Sequence, residues 1–419
     1  MNNKIKKFSG NLAVLDIGSA KVACFIAKLE ADGIIKAAGV GHQLSKGIRS
    51  GHIIDIIEAE TSVVAAVHAA EQMADVTIEN VVVSLGGAGI NSHNVTVELT
   101  VSGDTVSARD LEDILREGRS SVESDDIEVI HCFPLSYTLD DVKNINDPRG
   151  MIGERLAADL HIVTAPSSMI RNISNCLANC HLNAADFVIS PHASGLACLE
   201  PDEMQLGVTI IDMGAGSTGI AVFTGGKNLY SDIIPLGGGH VTSDLAKGLS
   251  TSIAHAERLK TLHGTAVATS SDDQTMIDVP QLGEEYSGED NANMVPRSIM
   301  VGIIRPRLEE IFEMIRGKLE AAGVEELAGR RVVLTGGASQ LLGMREIATR
   351  VLGKQVRLAK PRTVAGLAEA VSGAPFATAT GMLEYARRKT LEEIHMDSMH
   401  SKSMPFDLKN IIQWFKDNF

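Results

Sequence analysis

Residues 12–27 read LAVLDIGSAKVACFIA and residues 208–223 read VTIIDMGAGSTGIAVF. Each stretch is an apolar run, an Asp-x-Gly, a few small residues and a second apolar run. That pattern predicts a β-hairpin whose first strand ends near the aspartate. Glycine at such a turn lets backbone N–H groups come close to a phosphate. The carboxylate would repel phosphate directly, but it can hold Mg²⁺ through water, and the metal then neutralises the phosphate charge. One such turn is ordinary. Two matched copies, at Asp16 and Asp212, predict a clamp on a polyphosphate from both sides. One jaw is Asp16, Gly18 and Ser19, with Lys21 reaching the phosphate. The other is Asp212, Gly214, Gly216 and Thr218.

A third stretch, LTGGASQLLGM over 334–344, predicts a strand running into Gly336, Gly337 and Ser339 before a helix. This leaves room for a flat base against the backbone, although a plain strand-to-helix turn reads the same way. Glu257 and Lys260 lie three apart on a predicted helix, either to grip ribose hydroxyls or to form an exposed ion pair. Other phosphate signatures are missing. There is no G-x-x-x-x-G-K-[ST], and Gly214, Gly216 and Gly219 imitate only part of a dinucleotide fingerprint, followed by a strand rather than a helix. His131, His161 and His192 lack metal-ligand spacing, so packing or surface roles are expected. No nucleophilic triad motif is visible.

The elements that must carry these groups alternate as α/β in two related halves, each opened by one hairpin. The expected first lobe is 11–85 with 165–207, including a helix over 58–73, a strand over 80–85, a helix over 166–183 and another opened by Pro191. An insertion, 86–164, has its own α+β program: strands over 95–101, 128–134 and 160–164 and a helix over 108–122. The second lobe is 208–385, with an outer subdomain at about 240–305, helices over 242–261 and 306–322, and a polar acidic loop or exposed hairpin over 266–297. A linker is expected over 386–405. Residues 406–419 then form an amphipathic helix with Leu408, Ile411, Ile412, Phe415 and Phe419 on one face and Trp414 at its edge. A helix that short is marginal alone in water. It needs a lipid interface or a protein groove, and the pattern suits both.

At 419 residues the chain exceeds one ordinary domain. Hydrophobic residues at 44% and charged ones at 22% exclude bulk disorder. A net charge of −15 argues against a general nucleic-acid binder and requires any contact with anionic lipid to be local. Five scattered cysteines without a C-x-x-C support neither a disulfide framework nor a zinc knuckle, and point to a reducing, cytoplasmic setting. No secretory signal is visible and no window approaches the ~20 apolar residues of a membrane span.

The two hairpins, the 334–339 stretch and two further phrases, SPHASGLACL at 190–199 and APFATATGML at 374–383, resemble the motifs of the actin-like ATPase superfamily. Within it the chain resembles the FtsA family of bacterial division proteins. HCFP at 131–134, DPRGMIGERLAADLHIVTA at 147–165 and the amphipathic end carry that finer likeness, which covers about 11–385 and the tail. The resemblance implies a duplicated, ribonuclease H-like two-lobed fold with ATP and Mg²⁺ in the cleft. It implies self-assembly, contact with inner-membrane lipid through the tail, and partners that include other division proteins and the acidic C-terminal peptide of FtsZ. Arg305 and Arg307, at the start of a predicted helix, are the candidates for that peptide. Actin and its relatives carry Gln or Glu where this chain has Ser190, so slow hydrolysis is expected, with Asp212 or the nearby Asp186 left to orient water. The alternative on the same fold is a small-molecule kinase.

Overall fold

The computed structural model describes residues 10–282 and 293–400. The first repeat forms β1 (Asn11–Ile17) and β2 (Lys21–Leu29), paired antiparallel with Asp16 opposite Ala23. After β3 (Ile35–Leu44) and helix α1 (Ile56–Ala74), β4 (Asn80–Leu85) returns parallel to β1. Helix α1 starts where the Asp55 carboxylate accepts the Glu58 N–H and stops where Asp75 turns left-handed, with φ 52°.

The insertion contains β5 (Asn91–Thr100), α2 (Ala108–Ser120), β6 (Ile127–Leu139), β7 (Val142–Ile145) and β8 (Arg155–Pro166). Its sheet order is β5-β8-β6-β7. The chain returns through α3 (Ser167–Asn179) and β9 (Asn183–Ile189), then passes α4 (Ser190–Cys198) and α5 (Pro201–Leu206). The second lobe repeats the plan with β10 (Val208–Met213), β11 (Thr218–Thr224) and β12 (Lys227–Ile234). Helices α6 (Gly238–Gly248) and α7 (Ile253–His263) follow, then the short pair β13 (Met276–Asp278) and β14 (Met294–Pro296), and the long α8 (Arg297–Ala321). β15 (Arg331–Thr335), α9 (Met344–Leu352), β16 (Gln355–Leu358) and α10 (Ala377–His400) complete the described chain.

The two large sheets run β9-β4-β1-β2-β3 and β12-β11-β10-β15-β16. Each joins an antiparallel meander to two parallel strands, so Asp16 and Asp212 occupy equivalent places on their central strands. Helices cover both faces of each sheet, which is why β10 is buried at every position. Helix α8 lays Ile304, Leu308, Ile311, Phe312, Ile315 and Leu319 on the second sheet, an apolar stripe at helical spacing. Helices α4 and α10 lie between the sheets. Ala379, Met382 and Leu383 pack on the first and Leu196 and Ala197 on the second. Among the described residues no helix is long and apolar enough to cross a membrane.

Four expectations need correction. The helix expected over 242–261 is two helices, because Ser250 turns left-handed (φ 52°) and the Ser252 hydroxyl accepts the His255 N–H to start the second. Helix α8 begins at Arg297 rather than Pro306, which sits inside it. The carbonyl that Pro306 leaves without a partner belongs to the exposed Gly302, open to water. The linker expected from 386 is helical through His400, and its remainder, like the amphipathic stretch 406–419, lies outside the described residues. The strand expected over 128–134 runs on to Leu139, because Pro134 sits at a β-bulge. Asp159 pairs with Ser136 and Leu160 with Pro134, which leaves Leu135 extra. Its carbonyl accepts a hydrogen bond from Lys227 Nζ (2.7 Å), which also reaches Asn146 Oδ1 (3.1 Å). Lys227 opens β12, so the second lobe grips the insertion at its bulge. Burial lowers the pKa of this lysine.

The three histidines are core residues at the joint of insertion, lobes and connecting helices. Phe133 stacks on His131 and His192 at 4.9 and 4.7 Å between centroids, and His192 stacks on Phe223 at 5.8 Å. His131 Nε2 accepts the Ile189 N–H at 3.2 Å. Burial pushes the His131 pKa down to about 3 and that of His161 to about 4, and holds His192 well below the ordinary value of 6.5. The unfolded chain takes up protons near pH 6.5 and the folded chain does not. Stability from this group is therefore full above pH 6.5 and is lost as pH falls toward 4. The expected loss at pH 5 is about 2 kcal/mol per histidine, read as a drop in the urea midpoint between pH 7 and pH 5. An unchanged midpoint would contradict a stack held neutral.

Candidate functional site

Both hairpin turns are closed by the same bond. Gly18 N–H donates to the Lys21 carbonyl (3.0 Å) and Gly214 N–H to that of Ser217 (2.9 Å). A Cβ on Gly18 would meet that carbonyl at 2.9 Å, so a side chain there would force the turn to shift, and one on Gly214 would crowd its carbonyl at 3.1 Å. The jaws touch at their base, where a Cβ on Gly216 would lie 2.4 Å from Ser19 Oγ. Ser217 Oγ donates to the Gly86 carbonyl (2.7 Å) and Ser190 Oγ to that of Leu85 (3.0 Å), which ties the second jaw and the start of α4 to the end of β4.

Each aspartate is held by hydroxyls from elsewhere in the chain. Ser84 Oγ accepts the Ile17 N–H (2.9 Å) and donates to Asp16 Oδ1 (2.8 Å). Thr378 Oγ1 donates to Asp212 Oδ2 (2.8 Å), and Ser194 Oγ donates to the same oxygen. Burial raises the pKa of both carboxyls. Lys21 and Ser84 oppose that at Asp16; at Asp212, Ser194 and Thr378 oppose it while the nearby Asp16 adds to it. Two desolvated carboxylates facing one space make a site that favours a cation.

That space is a cleft of about 670 Å³ between the lobes. The structure brings together on its walls Asp16, Gly18, Ser19 and Lys21, then Asp212, Gly214 and Gly216, and at the far side Glu257, Lys260, Gly336 and Gly337. Gly336 adopts φ 86°, and a Cβ there would lie 2.4 Å from Asp212 Oδ1, so the turn after β15 also depends on glycine. Lys260 Nζ donates to Glu257 Oε2 (2.7 Å), Thr242 Oγ1 (2.8 Å) and the Gly238 carbonyl (3.0 Å). The pair thus braces α7 against α6, with the Glu257 side chain still 53% exposed.

Other expected site residues lie elsewhere. Thr218 is buried in β11, its hydroxyl donating to the Leu236 carbonyl (2.7 Å); Ser217, one residue earlier, lines the cleft instead. Aligning the two turns on their closing bonds pairs Ser217 with Lys21, a signal present in the sequence. Ser339 is also buried, its hydroxyl turned back to the Gly336 carbonyl (2.7 Å). Asp186 faces α10, accepting from Tyr385 OH (2.8 Å) and Lys389 Nζ (2.6 Å). Arg305 and Arg307 lie well inside α8 rather than at its start. Arg305 pairs with Glu309 (2.8 Å) and Arg307 with Asp244 (2.6 Å) and Glu310. The residues missed were Ser84, Ser194 and Thr378. Their one signal is a hydroxyl inside an otherwise apolar or small-residue run, which when buried demands a partner.

The chain is similar to known proteins along nearly its whole length. The profile of the family described as "Cell division protein FtsA" matches residues 209–381, and that of the "SHS2 domain inserted in FTSA" matches residues 87–164. The protein described as cell division protein FtsA in Rhizobium meliloti (strain 1021) is 39% identical, over 99% of this chain and 96% of its own length. Its counterpart in Escherichia coli (strain K12) is 30% identical, over 97% of each. Among solved structures, a PilM-PilN type IV pilus biogenesis complex matches with TM-score 0.65 at 17% identity, covering 90% of this chain and 98% of that one. MreB 5 of Spiroplasma citri bound to AMPPNP matches with TM-score 0.54 at 12% identity, covering 93% and 98%.

Proposed function

This chain belongs to the FtsA family of cell division proteins and has the actin-like two-lobed fold, and we propose that it binds ATP with Mg²⁺ in the cleft, self-assembles under the bacterial inner membrane and tethers FtsZ filaments there through its C-terminal segment. One observation carries the nucleotide part: two Asp-x-Gly hairpins of the same construction face one another across a single cleft. The AMPPNP bound by the MreB 5 neighbour lends support. The donor chemistry suits a hard cation. Asp16 and Asp212 supply carboxylate oxygens, and among the described residues no three His, Cys, Asp or Glu side chains gather to hold a metal alone. Water and phosphate oxygens would complete the shell. Lys21 and the hairpin N–H groups would face the phosphates, Glu257 the ribose, and Gly336 and Gly337 the base.

Hydrolysis is expected to be slow. Ser190 stands at the start of α4 with its hydroxyl given to the Leu85 carbonyl, and a hydroxyl is no carboxylate base. Steady-state phosphate release at the ~10 s⁻¹ of a median enzyme would reject this. The kinase alternative is not favoured, since the relatives matched along nearly the whole chain are cell division proteins.

The tether part rests on the sequence pattern of 406–419, whose five or six apolar side chains would gain several kcal/mol in a lipid interface, reckoned at about 25 cal/mol per Å². FtsZ's acidic peptide would dock on the outer part of the second lobe, where it must compete with Glu309, Glu310 and Asp244 for Arg305 and Arg307. The test is sedimentation with liposomes in Mg-ATP. The full chain is expected to pellet, and a chain ending at Met404 to stay in solution. If both stay in solution, the tail serves a protein contact and the tether is wrong.

A further inference from the structure

Lys21 already has partners, and they are not on its own hairpin. Its Nζ donates to the Pro375 carbonyl and stands 4.6 Å above the Phe376 ring. That ring is anchored in the first lobe, stacked on Phe25 at 5.9 Å and met edge-on by His42 at 5.5 Å. Two residues on, Thr378 donates to Asp212. The run 375–378 is therefore bonded to the charged groups of both hairpins. It also opens α10, whose Gly381 packs directly on the Ala193 backbone of α4 and which extends to His400.

We propose that residues 375–378 sense the occupancy of the cleft: a polyphosphate draws Lys21 away from Pro375 and Phe376, a divalent cation competes with Thr378 for Asp212, and the start of α10 loosens. This rests on the reading of the cleft as a nucleotide site. The exchange is favourable in kind, because an ammonium meets a full opposite charge on a phosphate and only a dipole on a carbonyl. The flexible lysine stem lets Nζ swing without backbone movement. Thr378 has a second partner ready, since Ser194 Oγ lies 3.1 Å from its hydroxyl.

The experiment measures hydrogen–deuterium exchange in peptides covering 374–385 of the full chain, with and without Mg²⁺ and AMPPNP, alongside calorimetric binding. In the unsubstituted chain, binding is expected to speed exchange there about two- to fivefold, the worth of the cation–π attraction between Lys21 and the ring. Lys21→Met is expected to show the fast rate before any ligand is added and to keep it afterwards. Phe376→Leu keeps the lysine but removes its ring. It is expected to exchange fast without ligand and to bind AMPPNP about two- to fivefold more tightly, since Lys21 no longer has to leave the ring. If AMPPNP binds and exchange over 374–385 is unchanged, the lysine serves both partners at once; the proposal falls and the nucleotide site stands. If ligand-free Lys21→Met and Phe376→Leu both exchange like the unsubstituted chain, the latch is absent and the proposal also falls. If AMPPNP does not bind at all, the nucleotide site falls first and the proposal with it.

Discussion

Gly381→Ala is expected to destabilise the protein by about 3 kcal/mol or more. A methyl group at this position would lie 1.7 Å from the Ala193 carbonyl oxygen and 2.3 Å from its carbon, so backbone meets backbone and no side chain can move aside. Relief requires α4 and α10 to separate. They are the layer between the two large sheets, with Pro191 to Cys198 buried along α4, so separation costs packing on both lobes at once. Gly317→Ala in α8 is the control. A Cβ there meets nothing within 4 Å, and the helix should become more stable by about 0.5–1 kcal/mol as glycine's flexibility is removed. Urea denaturation of the three chains reads both effects. A Gly381→Ala chain that unfolds with the same midpoint as the parent would show that the helices are not in contact in solution.

Asp212→Asn should separate binding from stability. The carboxyl is buried and its pKa is raised above the ordinary value of 3.8, chiefly by desolvation. A raised carboxyl pKa means that the charged form costs the folded state free energy at neutral pH, a cost that fades as pH falls through the folded pKa. Asparagine removes the charge and keeps the shape, so the fold should be as stable as the parent or more so at pH 7. Nucleotide affinity in Mg²⁺ should fall by about 100-fold, near 2.7 kcal/mol, and affinity in EDTA should barely change. Calorimetry in the two buffers with a thermal melt gives all three readings. A more stable variant that keeps its full Mg²⁺ dependence would mean that the cation is held elsewhere.

The duplicated frame was legible because its signal is local. In each of 12–27 and 208–223, apolar runs flank a glycine turn within sixteen residues. The walls of the cleft followed from them, since a strand that ends on Asp-x-Gly can only present those groups at its end. What stayed hidden depends on distance along the chain. Ser84 and Asp16 are 68 residues apart and Thr378 and Asp212 are 166 apart, so no window of sequence holds both members of either pair. Thr218 misled for a different reason. A residue's place in a strand sets which face it shows, and a shift of one residue reverses that. Pro134 and Pro306 each marked an apparent end. A bulge and a solvent-facing carbonyl let the strand and the helix continue, and neither remedy can be read from the proline itself.

Lys227 gives the molecule a mechanical property that its chain order conceals. The insertion leaves and rejoins the first lobe through β4 and α3, so by connectivity it is that lobe's appendage. Yet the lysine at the start of β12 is bonded into its bulge, and the Ser231 N–H of the same strand donates to Ser92 Oγ (3.4 Å). Two lobes that share a hinge, with a third body fastened to both, form a triangulated frame. Such a frame has fewer independent motions than a hinge alone. Any swing of one lobe on the other must either carry the insertion along or break those bonds and shear the Phe133–His192–Phe223 stack. The insertion is thus a strut from one lobe to the other, fastened by a lysine, a backbone N–H and stacked rings.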